Sequence, residues 1–196
     1  MSGPEADVDA VPEAAVRLND YRSDVIEIAA RPGRIRELEA IAAARGLTLP
    51  GFGRVVATGR WLTMSVRPDR WLVLQASTPS GARAAQWHTA CAGVATAVDL
   101  SSALALVHLS GPRARELLAR SCRVDLHESS LPTGRAVATI MAQAAVIIAA
   151  VPTGLLVLTP LTTARHFREW LLASAGVCAL LPQSGNGTLD MFGGSA

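Results

Sequence analysis

The chain has 196 residues, half of them apolar, with a mean hydropathy of +0.31 and a formal net charge of +2. All 18 of its basic residues are arginine. The absence of lysine excludes a P-loop lysine, a Schiff-base lysine and a lysine general base, and the small net charge leaves no electrostatic footprint for nucleic acid. The length admits one large domain or two small ones with a sizeable core.

The opening MSGPEADVDAVPEAA places four carboxylates ahead of Arg17, the first base. It lacks the basic start and apolar run of a secretory peptide and reads as a disordered acidic tail over 1–15. A strand is predicted at 25–30, then a Pro/Gly turn and an arginine-rich amphipathic helix at 33–45. Strands at 53–58, 61–66 and 71–75 follow, then a helix at 80–92. In WLTMSV, Leu62, Met64 and Val66 alternate with Thr63 and Ser65, which predicts one wet face. A linking strand at 96–100 opens a second series: a strand at 104–109, a helix at 111–121, strands at 135–141, 144–150 and 155–159, and a helix at 162–174. In the helix at 111–121, Ala114, Leu117 and Leu118 share a face while Arg113, Glu116 and Arg120 lie outside. The ending PQSGNGTLDMFGGSA is rich in Gly and Ser, so 183–196 is expected to be a flexible tail whose Met191 and Phe192 could clip onto a neighbour. The body, 16–182, is expected to form a single domain.

The two series are copies of each other. GRVVATGRWLTMSVRPDRWLVL (53–74) parallels GRAVATIMAQAAVIIAAVPTGLLVL (134–158), and VIEIAARPGRIRELEAI (25–41) parallels LVHLSGPRARELLARS (106–121). ARAAQWHTACAGV (82–94) likewise parallels ARHFREWLLASAGV (164–177). Trp71, Trp87 and Trp170 fall at equivalent or helical core positions. The fold class that results is α+β: two pseudo-repeated β-α-β-β-α-β, ferredoxin-like halves with mainly antiparallel sheets.

No charge occurs between Arg135 and Arg165. The apolar part of this run, 136–151, is shorter than the ~20 residues of a membrane helix, and Pro152 and Gly154 break it as a hairpin would. Its counterpart carries Arg60, Arg67, Asp69 and Arg70, so no membrane span is expected and two buried strands are. That hairpin is apolar on both faces, whereas its own helices cover one. The sequence therefore predicts a cover from outside: an obligate partner, with Arg113, Arg115, Arg120 and Arg123 on the rim.

Chemistry-bearing side chains gather in RSCRVDLHES (120–129), where Cys122, Asp125, His127 and Glu128 could be a nucleophile with its base or a metal site. Cys122 follows a helix C-terminus, which disfavours a thiolate. Cys91, Cys122 and Cys178 form no CxxC pattern and read as reduced thiols. His88, His108, His127 and His166 show no ligand pairing. Ser110 and Gly111 precede a helix, as an anion site or, more simply, a Ser N-cap would. Asp99 could serve as a base or a turn residue. Arg17, Arg22, Arg31 and Arg34 read as a solvated or docking face. No residue is assigned a catalytic, cofactor-binding or metal-binding role.

DLSSALALVHLSGPRARELLARSCRVDLHESSLPTGRAVAT (99–139) resembles the gamma subunit of heterotetrameric sarcosine oxidase. The matching positions are Asp99, Leu100, Ser101, Ser110, Gly111, Pro112, Ala114, Leu117, Cys122, Asp125, Leu126, His127, Pro132, Gly134 and Thr139. Leu131 stands where the family usually has Phe, and a lysine often found before the Cys is absent. The closing FREWLLASA also fits. The likeness runs in order over roughly 25–175. A wider likeness reaches the folate-dependent glycine-cleavage T-protein fold, whose Gly-Gly and Asp-Asp segment is replaced here by AQAAVIIAAVPTG. The resemblance implies a cytoplasmic accessory subunit without a redox cofactor. FAD, FMN, NAD, tetrahydrofolate and zinc would lie on partner chains, including a large flavin-containing alpha subunit, in a complex that oxidises sarcosine to glycine. It also implies that the segment Asp125–His127 shapes and docks the domain. Two alternatives stay open: a stand-alone folate-binding T-protein-like protein, and the equivalent subunit of a related N-methyl amino acid dehydrogenase.

Overall fold

The computed structural model describes residues 16–76, 82–175 and 180–187. In chain order the elements are β1 (Val16–Tyr21), β2 (Ser23–Ala30), α1 (Ile35–Ala43), β3 (Arg54–Thr58), β4 (Trp61–Arg67), β5 (Arg70–Ala76), α2 (Ala82–Ala90) and β6 (Ala95–Asp99). The second series is β7 (Leu104–Ser110), α3 (Ala114–Ala119), β8 (Ala136–Met141), β9 (Ala144–Val151), β10 (Gly154–Pro160), α4 (Leu161–Ser174) and β11 (Leu180–Gly187).

Alternation of apolar residues and tight turns build the strands. Between β8 and β9 the chain reverses through Ala142 and Gln143, both at positive φ, the geometry of a two-residue hairpin whose twist suits the strands it joins. Between β9 and β10 it reverses at Pro152 and Thr153. Gly154, at φ 145°, then lies so close to the neighbouring strand that a Cβ there would stand 2.2 Å from the Leu109 carbonyl oxygen. Only glycine fits.

The strands form two sheets. One has the order β3-β4-β5-β2-β6, the other β8-β9-β10-β7-β1-β11. Apart from the parallel pair β1–β11, neighbours are antiparallel. The shared order is the internal duplication in three dimensions: β2, α1, β3, β4, β5 and α2 correspond to β7, α3, β8, β9, β10 and α4. Each half places three strands between its helices. One strand breaks the symmetry. In the first half β6 lies beside β2 (Ile28 opposite Ala97), but the equivalent place beside β7 is taken by β1, with Leu18 opposite Leu109. The N-terminal strand thus completes the sheet of the other half. β1 was not expected, because VRLNDY has too few apolar residues to announce a strand.

Three apolar clusters separate four layers. Leu38, Ala42, Trp87 and Cys91 pack α1 and α2 on Ile26, Ile28, Trp61, Trp71 and Val73. Leu117, Leu118, Phe167 and Leu171 pack α3 and α4 on Val107, Ile148 and Val157. Between the sheets, Val25, Val55, Leu62, Met64, Leu72 and Leu74 meet Leu106, Ala136, Ala149, Val151, Leu156 and Leu158. Along one side the sheets also join by backbone, Val55 N–H donating to Gly134 O and Ala136 N–H to Gly53 O, each at 3.0 Å.

This third layer corrects two expectations. The second apolar face of the 136–159 hairpin is covered by the chain's own first sheet, so the uncharged run does not call for a partner. The strand 61–66 has no wet face either: Thr63 and Ser65 are buried under the helices. Residues 136–151 form β8 and β9, and among the described residues no helix is long and apolar enough to cross a membrane. The acidic segment 1–15 lies outside the described residues, as do Met191 and Phe192. Of the stretch read as a flexible tail from 183, residues up to 187 belong to β11, which pairs with β1 (Val16 opposite Leu180).

Candidate functional site

The polar motif residues Asp99, Ser101, Asp125 and His127 lie in two loops, one leading into β7 and the other into β8. In the first loop Asp99 Oδ1 accepts hydrogen bonds from the Ser101 N–H (2.9 Å) and hydroxyl. Ser101 Oγ in turn accepts from the Val25 N–H at 3.0 Å, and Leu100 N–H donates to Val25 O at 2.8 Å. Asp99 therefore ends β6 and ties it to the start of β2, as a turn residue does.

The second loop is built on Leu126 and Leu131, both buried in the core beneath α3 and α4. Arg115 fixes their backbone from below, its Nη1 donating to Leu126 O (2.6 Å) and Leu131 O (3.0 Å). Asp125 closes the loop from outside, accepting from the His127 N–H at 2.9 Å and from the Ser130 hydroxyl. Those two bonds, the hydroxyl's first, hold the Asp125 carboxyl below its ordinary range. His127 Nδ1 stands 2.8 Å from Ser129 Oγ and accepts from the Ser129 N–H at 3.3 Å, while its carbonyl takes the N–H groups of Ser130 and Leu131.

Cys122 is elsewhere. It is half-buried against the helix-side core and bridges to Met141 through the backbone. Cys122, Asp125 and His127 do not form a triad, and no group of three metal-binding side chains occurs among the described residues. Cys91 is fully buried, and burial pushes its thiol up against the opposing pull of Arg45; Cys178 lies outside the described residues. Ser110 is not a helix cap. It is the last residue of β7, opposite Arg17, and α3 starts at Ala114 with Arg113 before it and no side-chain cap.

The four arginines expected on an interface rim are mostly engaged within the chain. Arg113 and Arg120 both pair with Glu116, whose carboxyl Arg113 holds below its usual range; Arg120 also donates to Ser174 O, and Arg115 is the loop clamp. Three features escaped sequence reading. The Arg115 clamp joins residues that no spacing rule connects. His108 is buried in β7 with Nε2 3.2 Å from Thr153 Oγ1 and its ring edge-on to Tyr21, and burial lowers its pKa to about 4. A cluster of Arg45, Arg60 and Arg83 with Trp61 and Trp87 brings together three distant segments.

The duplicated sandwich defines a class of fold. It resembles the glycine cleavage system aminomethyltransferase T of Bartonella henselae, with a TM-score of 0.65 and 16% identity over 87% of this chain and 48% of that one. A likeness at this identity shows the fold alone. A chain of the heterotetrameric sarcosine oxidase from Corynebacterium sp. U-96, solved in complex with pyrrole 2-carboxylate, is more similar. Its TM-score is 0.73, its identity 25%, and the match covers 84% of this chain and 85% of that one. The model of the sarcosine oxidase gamma subunit family matches residues 33–176, and the chain belongs to that family. It is also 33% identical over 113 residues to the sarcosine oxidase subunit gamma of an Arthrobacter species. That match takes in 56% of this chain and spans about half, 54%, of the relative.

Proposed function

We propose that this chain is the accessory gamma subunit of a heterotetrameric sarcosine oxidase, an assembly element beside a large flavin-containing alpha subunit in a cytoplasmic complex that oxidises sarcosine to glycine. On this reading FAD, FMN, NAD, tetrahydrofolate and zinc sit on partner subunits, and this chain supplies no reacting group. The observation that carries the proposal is how the family motif is spent. Asp99 and Ser101 bond each other and the Val25 backbone, Asp125 bonds the His127 backbone and Ser130, and Leu126 goes into the core, as does Leu131. These residues fix the shape of two loops, one leading into β7 and the other into β8.

Co-expression with the large flavoprotein subunits tests this directly. The chain is expected to co-purify with them, and its omission to lower the yield of assembled oxidase. C122S and H127A are expected to change stability or yield and to leave turnover per assembled complex unchanged. A loss of turnover in a fully assembled variant would overturn the reading. So would stoichiometric folate binding by the isolated chain in a calorimeter, which favours a stand-alone folate protein.

A further inference from the structure

On the helix-covered face of the first half, Trp61 and Trp87 meet edge to face, ring centroids 6.1 Å apart, and both are buried. Three guanidiniums stand against these rings. Arg45 lies 5.6 Å from the Trp87 centroid, and Arg60 and Arg83 lie 5.5 and 5.9 Å from that of Trp61. They come from the end of α1, the β3–β4 turn and α2, and together line a hollow of about 190 Å³. A broader depression of about 540 Å³ shares Arg45 and Gln86 and continues along the exposed side of α2 to Thr89.

The charges here are unbalanced. Arg83 has a carboxylate nearby, the buried Asp24 at 3.5 Å, yet its Nε is buried and makes no hydrogen bond. Arg45 donates to the Ile41 carbonyl at 3.2 Å, and neither it nor Arg60 has an acidic partner among the described residues. A guanidinium held against an indole loses little further side-chain entropy when it binds an anion. The ring contact orients the fork, and its bidentate geometry suits a carboxylate.

We propose that this arginine–tryptophan surface is a docking site for an acidic segment of a partner subunit, with one partner carboxylate in the 190 Å³ hollow and the rest of the segment along α2. The inference rests on the accessory-subunit reading and adds to it the face of the chain that engages and the chemistry it engages. A protein fits better than a small metabolite because Arg45, Arg60, Gln86 and Thr89 are exposed. A small ligand would stay wet on one side, whereas small-molecule sites enclose most of their ligand. A partner surface brings its own rim to exclude water, and arginine and tryptophan are the residues that dominate such contacts.

The test uses the full chain and the co-expressed flavoprotein subunits, comparing wild type, R45Q/R60Q and R36Q/R54Q. The last pair removes the same charge from exposed positions away from the tryptophans. R45Q/R60Q is expected to raise the dissociation constant for assembly about tenfold or more and to flatten its dependence on salt. R36Q/R54Q is expected to assemble like wild type, and all three chains to share one melting temperature. Equal assembly of R45Q/R60Q and wild type overturns this inference and leaves the accessory-subunit reading standing; failure of wild type itself to assemble overturns that reading. Saturable binding of inorganic phosphate to the isolated chain, lost in R45Q/R60Q, would reassign the hollow to a small anion and overturn the docking proposal.

Discussion

Replacing Leu156 by alanine separates the two accounts of the uncharged run. Leu156 is fully buried in the layer between the sheets, flanked on its strand neighbours by His108 and Ala149. Its side chain meets the first half's sheet, so truncation removes buried methyls and leaves a cavity that two sheets joined by backbone bonds can close only in part. A loss of this kind costs about 2–5 kcal/mol, and at roughly 2–4 °C per kcal/mol for a chain of this size the melting temperature of the isolated chain should fall by about 4–20 °C. Ile140, half exposed on β8, is the control; its truncation should change stability by about 0.5 kcal/mol or less. Urea unfolding followed by the fluorescence of the four tryptophans reads both variants, and an unchanged slope against denaturant shows that the change lies in stability alone. If L156A unfolds at the same urea concentration as I140A and wild type, while failing to assemble with partner subunits, the face is a docking surface and the inter-sheet layer is wrong.

Three further outcomes follow from particular geometry. Gly154→Ala places a Cβ against the Leu109 carbonyl at a left-handed φ, and should destabilise by roughly 3 kcal/mol or more, visible as a lost or strongly lowered thermal transition. Gln143→Gly removes a non-glycine residue from φ 63° and should raise stability by about 1 kcal/mol, measured as a higher urea midpoint. His108 is neutral in the fold down to about pH 4 but titrates near its ordinary value when unfolded. The unfolded chain therefore binds the extra proton, and stability, full above pH 6.5, should fall by about 1.4 kcal/mol per unit on acidification toward pH 4. In His108→Leu that component disappears, and parallel pH profiles for the two proteins would refute it.

Most elements were legible because each carried a local signal. The strands alternate or run apolar between Gly and Pro, and Leu117 with Leu118 marked the buried face of α3. The duplication made each assignment count twice. What periodicity shows, however, is that a face is apolar, not what lies on it. The second face of β8–β10 was correctly read as buried and wrongly given to a partner, because its cover, Leu62, Met64, Leu72 and Leu74, lies half a chain away. The same distance hid the site features. Arg45, Arg60 and Arg83 each look like ordinary surface arginines; only the fold stands them on Trp61 and Trp87, and a tryptophan directly after Arg60 was the one available hint. Ser110 misled because an SGP segment before a helix resembles a cap, whereas Gly111 and Pro112 delay the helix until the serine is still in the strand.

The position of β1 bears on how the chain reaches this state. Arg17 pairs with Ser110 and Val16 with Leu180, so β1 leaves the ribosome well before β7 and β11, the strands it pairs with. Val16 and Leu18 are fully buried in the second half's helix-side core, and until β7 arrives they remain exposed. Contacts this distant must overcome loop-closure entropy before they return any energy, which slows folding and lengthens exposure to aggregation. The two halves look like modules from one duplicated gene, yet a cut between β6 and β7 would strand β1 on the wrong fragment. The second piece would then lack a strand of its own sheet, and the first would carry one it cannot place.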